Sequence, residues 1–91
     1  IFVEVIKNLK YNKLILFTDY FNNNVLIKRP YIKIDWCLKA KVEYLKKEIQ
    51  DNGRIRYWIF IEEYQKYLRV VYLEDNNTLH NAFFDRDYLK K

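Results

Sequence analysis

Ninety-one residues suffice for one domain, and a doubly wound dinucleotide fold or a barrel enzyme needs a far longer chain. Hydrophobic residues make up 51% and aromatics 19%, too much for a disordered tail, and one Gly and one Pro exclude a linker or low-complexity segment. The net charge of +5 favours a polyanionic partner and says nothing about fold.

Cys37 is the single cysteine. It has no internal disulfide partner, which points to a reducing, cytoplasmic setting or an inert buried thiol. One His and one Cys make no spaced ligand set, so no metal and no cofactor are expected. No apolar run approaches the ~18 residues of a membrane span, so no membrane partner is expected. The chain has no Met and opens on Ile1, which reads as a fragment of a longer protein.

In chain order, residues 1–10 are ambiguous. Phe2, Val5, Ile6 and Leu9 fit helical spacing, and the β-branched content fits a strand equally well. Leu14-Ile15-Leu16-Phe17 reads as a strand. Thr18 and Asp19 can each cap a helix, and residues 19–27 then form a short one, weakened by Asn22-Asn23-Asn24. Pro30 forces Arg29 toward extended geometry. Asp35 opens the clearest helix, with Leu38, Val42, Leu45 and Ile49 as one buried stripe. Its end has two readings. Asn52-Gly53 is either its C-cap or a hairpin turn, in which case residues 48–51 are already strand.

Residues after Gly53 read as antiparallel strands: 54–62, 67–74 and 78–84, with Asp75-Asn76-Asn77 as a turn. The expected fold is therefore α+β. One or two helices in an N-terminal half (about 14–50) pack on one face of a three- to four-stranded antiparallel meander (about 48–86), all in a single domain, 1–91.

The alternation sets the faces. Ile55, Tyr57, Ile59, Ile61, Leu68, Val70, Tyr72, Leu79 and Phe83 are expected on the core face. Arg54, Arg56, Trp58, Tyr67, Arg69, Thr78 and His80 are expected on the other. Three of the five Arg and the one His thus share an open face.

Such a face suits metal-free RNA cleavage, in which a 2′-hydroxyl attacks the adjacent phosphate. His80 titrates near neutrality and suits proton transfer. Arg56 and Arg69, with Arg54, can fork onto phosphate oxygens. Trp58 can stack on a base, and Tyr67 and Thr78 can hydrogen-bond substrate. The plainer reading makes His80 structural, pairs the arginines with Glu62, Glu63 or Glu74, and buries Trp58 and Phe60 under the N-terminal segment.

Residues 52–58, 66–75 and 78–86, the last containing His80-Asn81-Ala82-Phe83-Phe84-Asp85-Arg86, resemble the barnase–EndoU–colicin–RelE-like ribonuclease superfamily. The nearest branch is the BrnT-like, phage-associated one. Leu16-Phe17-Thr18-Asp19 and residues 28–32 resemble that branch's helical half, and the resemblance spans roughly residues 14–89. It implies helices followed by a meander, and a toxin-type, metal-independent endoribonuclease acting on RNA and restrained by an antitoxin protein. On matching positions it implies roles for Arg54, Arg56, Arg69, His80 and Arg86. It also implies a polar residue in the last strand, where Asn81 stands, although simple alternation points Asn81 toward the core.

Overall fold

The computed structural model describes residues 3–8 and 13–88, with side chains from Leu16 onward. Its first two strands, β1 (Val3–Asn8) and β2 (Lys13–Thr18), pair antiparallel as a hairpin. The ambiguous first ten residues therefore resolve as strand over most of their length. The rest of that stretch lies outside the described residues.

A short helical layer follows, made of a π-helical turn at Phe21–Val25, α1 (Leu26–Lys28) and α2 (Ile34–Glu43). Thr18 Oγ1 accepts a hydrogen bond from Phe21 N–H at 3.1 Å, so Thr18 supplies the cap that its hydroxyl suggests. The last four strands are β3 (Lys46–Ile49), β4 (Ile55–Ile61), β5 (Lys66–Tyr72) and β6 (Thr78–Phe84).

Together they form an α+β protein with one six-stranded sheet in the order β1-β2-β6-β5-β4-β3. The sheet is mixed, which corrects the expectation of a pure antiparallel meander. β2 runs parallel to β6 through Leu16↔Thr78 and Phe17↔Leu79. The N-terminal hairpin thereby extends the edge that the meander leaves open, and the helices act as the crossover that a parallel pair requires.

The helical stripe is also corrected. Leu38 is buried, but Val42, Leu45 and Ile49 are exposed. The helix stops at Glu43 because Tyr44 is extended (φ −65°, ψ 147°), and the chain turns directly into β3. The chain therefore turns at Asn52-Gly53 as a hairpin, but the helix ends at Glu43 rather than near Lys46 and the strand occupies Lys46–Ile49 rather than 48–51. Gly53 has φ +88°, a left-handed conformation that suits glycine, and Gln50 N–H donates to Arg54 O at 2.8 Å to close the turn.

The helical layer packs Phe21, Trp36, Cys37 and Ala40 onto Tyr57, Val70 and Tyr72 of the sheet. Tyr72 Oη donates to the Cys37 carbonyl at 2.8 Å, tying β5 to α2. Burial pushes the Cys37 thiol up to about 12, so it is a core group and no nucleophile.

The consequential irregularity is in β6. Val71 pairs with Asn81, yet Tyr72 pairs with Leu79, which leaves His80 as the extra residue of a β-bulge. One inserted residue inverts the alternation beyond it. Ala82 and Phe84 therefore turn to the helix-covered face with the core. Phe83, expected in the core, and Asn81, expected to point inward, turn to the open face instead.

Candidate anion-binding groove

The open face is divided in two. At one end lies a groove of about 300 Å³ lined by Tyr20, Gln50, Arg54, Arg56, Arg69, Val71, His80, Asn81 and Phe83. Arg54, Arg56, Arg69 and His80 thus meet in one concavity. Arg54 and Arg56 stand two residues apart in the chain, which puts neighbouring guanidinium groups on one face. Arg69 lies opposite Trp58 on β5.

These cations are not equivalent. Arg56 donates to Glu48 Oε1 at 3.0 Å. Arg69 donates through Nη2 to Asp85 Oδ2 at 3.0 Å and is itself largely enclosed. No carboxylate among the described side chains pairs with Arg54. Arg29 joins the group from the loop after α1, donating to Asn81 Oδ1 and to the Ala82 carbonyl, both at 3.4 Å. Arg29 and Arg69 both lie over the Phe83 ring, at 5.7 and 4.7 Å. Sequence reasoning missed Arg29 and Phe83 because both depend on the bulge.

His80 is held from two sides. Its Nδ1 shares a 3.0 Å hydrogen bond with Thr18 Oγ1, and its ring packs on Tyr20 at 5.1 Å. Burial and then the charge of Arg54 hold its pKa below the usual histidine value. Both effects disfavour its protonated form, and in the tautomer that donates Nδ1–H to Thr18 Oγ1 the other ring nitrogen is the one that accepts a proton.

The other end of the open face is closed. Trp58 is fully buried, which removes it as a base-stacking platform. Its Nε1 donates to Asp85 Oδ2 at 2.9 Å, and Tyr88 of the C-terminal turn packs on Trp58 and Tyr67 at 5.9 and 4.6 Å. Tyr67 also packs on Phe60 at 5.0 Å, so it belongs to this aromatic cover. Arg86 is exposed and borders a separate cleft with Lys66 and Tyr67. Thr78 is buried in the β5–β6 turn, where its hydroxyl donates to Asp75 Oδ2 at 2.6 Å. Trp58, Tyr67, Thr78 and Arg86 are therefore outside the groove, for reasons of packing that alternation does not carry.

Burial alone would raise the Asp85 carboxyl. Hydrogen bonds from Trp58, Arg69 and the Asp87 amide, with the Arg69 charge, outweigh it and hold the pKa at about 2. A carboxylate depressed in the fold stabilises it above the unfolded pKa of about 3.9, and that contribution fades as pH falls toward the folded value. Urea unfolding should therefore show a loss of about 2–3 kcal/mol between pH 5 and 2, and Asp85→Asn should flatten that limb. His80 adds a shallower loss below about pH 6.5, because the unfolded chain binds its proton more readily.

Comparison of the chain with protein-family models, with curated proteins and with solved structures returns no match. The fold and the groove are accordingly the ground for a functional reading. Among the described residues, no helix is long and apolar enough to cross a membrane.

Proposed function

We propose that this chain is a metal-independent endoribonuclease of toxin type, related to the barnase–EndoU–colicin–RelE-like superfamily and its BrnT-like, phage-associated branch. The supporting observation is the groove shared by Arg54, Arg56, Arg69 and His80. Neutral His80 takes the proton of an RNA 2′-hydroxyl. The resulting alkoxide attacks the adjacent phosphate, and the leaving 5′ oxygen takes a proton from solvent in the open groove. Arg54 and Arg56 neutralise charge building on the phosphorane, and Thr18 keeps the His80 ring in place. The partners are RNA and an antitoxin protein, whose acidic surface would cover the cations, in the cytoplasm.

A second reading, a non-catalytic nucleic-acid binder, is favoured by the engagement of Arg56 with Glu48 and of Arg69 with Asp85. Only part of the cationic surface is then ready for phosphate. Incubating the pure chain with total RNA in EDTA separates the two. The nuclease reading expects cleavage that His80→Ala reduces by about 100-fold or more. Intact RNA, or cleavage indifferent to His80→Ala, would defeat it. The binder reading expects salt-sensitive binding without cleavage.

A further inference from the structure

We infer that the groove takes an unpaired nucleobase on the ring of Tyr20, so that its substrate is a single-stranded stretch of RNA and not a duplex. This rests on the reading of the groove as an RNA site and adds the base contact that the reading lacks. Trp58, the ring that sequence reasoning offers for stacking, is fully buried. Two aromatic side chains besides His80 line the groove, Tyr20 and Phe83. Phe83 is half-buried and already lies against two guanidinium groups, Arg29 at 5.7 Å and Arg69 at 4.7 Å. Tyr20 is 44% exposed. Among the described residues its ring contact is His80, 5.1 Å away at an interplanar angle of 32°. Thr18 in turn holds that imidazole. Tyr20 is therefore a supported ring with open surface, beside cations. Bases of any identity stack on such a ring, because each has a π-face.

Two amide side chains in the same lining add polar contacts for the base edge. Asn81 Oδ1 accepts Ala82 N–H at 2.9 Å and Arg29 Nη1 at 3.4 Å. Its oxygen is thereby committed, and Nδ2 keeps its protons to donate. Gln50 lines the groove next to Arg54 and Arg56, and its amide can both donate and accept. No carboxylate stands in the lining. The nearby Glu48 and Asp85 are held by Arg56 and Arg69, and Asp19, beside Tyr20 in the chain, accepts a hydrogen bond from Asn23. A phosphate next to the stacked base thus meets Arg54 without a competing anion. In a duplex the base faces are covered by their neighbours, and only an unpaired strand presents them.

Fluorescence anisotropy with a labelled 2′-O-methyl RNA strand, which has no 2′-hydroxyl to attack, tests the base contact apart from cleavage. Tyr20→Leu keeps an apolar cover on His80 and removes the flat ring. It should weaken single-strand binding by about 5- to 100-fold. Binding of inorganic polyphosphate, a polyanion without bases, should stay within about twofold of the parent. Tyr20→Phe, which restores the ring, should regain the single-strand affinity. At equal salt the parent should bind the single strand more tightly than the same strand annealed to its complement, although the duplex carries the denser charge. A parent that ignores the single strand or binds the duplex as tightly overturns the inference. So does a Tyr20→Leu variant that binds like the parent, or one that loses polyphosphate and RNA alike. Scoring RNA cleavage beside binding keeps the two readings apart. Cleavage with undiminished affinity in Tyr20→Leu removes the base contact and spares the nuclease. Ring-dependent binding by a chain that leaves RNA intact does the reverse.

Discussion

Asp85→Ala should lower the free energy of unfolding by about 3–5 kcal/mol, a large part of the total for a domain of this size. Asp85 is 7% exposed and its carboxylate serves three donors at once, Trp58 Nε1, the Arg69 guanidinium and the Asp87 N–H. Truncation leaves an indole N–H without an acceptor and a largely enclosed cation without its counter-charge. Each is costly in a low-dielectric setting. The same carboxylate anchors the turn that carries Tyr88 over Trp58, so the aromatic cover should loosen as well. Urea titration followed by tryptophan fluorescence measures the loss. A change below about 1 kcal/mol would mean that the Arg69–Asp85 pair is a surface contact.

Arg54→Ala should weaken RNA binding by about 10- to 100-fold, the worth of a charge-assisted phosphate contact. Its melting temperature should stay within about 4 °C of the parent, as expected for a side chain without a structural partner. Anisotropy with a labelled single-stranded RNA gives the first quantity. Because the Arg54 charge helps to hold His80 low, His80 should titrate at a higher pH in the variant. That shift is visible by NMR whether or not the chain cleaves RNA. Arg69→Ala is the less informative substitution: it strips Asp85 and the Trp58 and Phe83 rings of a partner, so lost function and lost structure arrive together. Unchanged RNA binding in Arg54→Ala would remove the groove from consideration.

The strands were readable where alternation is regular. Tyr57, Ile59, Leu68 and Val70 are buried as their spacing requires, and the Asn52-Gly53 turn follows from dipeptide chemistry. β6 was misread beyond His80, because a bulge inserts one residue without any composition mark. That single residue exchanged Phe83 for Phe84 in the core and brought Asn81 into the groove. The α2 stripe failed for a different reason. Leu45 and Ile49 fit helical spacing, but the hairpin with β4 captured the chain after Glu43, and Val42 stays in the helix with its side chain exposed. Asp85, beside Asp87, reads from sequence as a solvated carboxylate, and only the folded-back turn reveals its burial and its donors. The co-location of Arg54, Arg56, Arg69 and His80 was readable because three of them precede the bulge and His80 sits in it, beside Arg54.

The parallel seam between β2 and β6 governs when the groove becomes complete. The meander from β3 to β6 joins neighbours in sequence, so its loops close at small entropic cost. The Thr18–His80 bond closes a separation of 62 residues, and only two register pairs, Leu16↔Thr78 and Phe17↔Leu79, hold the two strands together. A nascent chain can therefore complete its meander, with the arginines already aligned, while His80 still lacks its anchor. Docking of the N-terminal hairpin, which buries Phe17 in the core, is then the step that converts a cationic sheet into a site with a fixed imidazole.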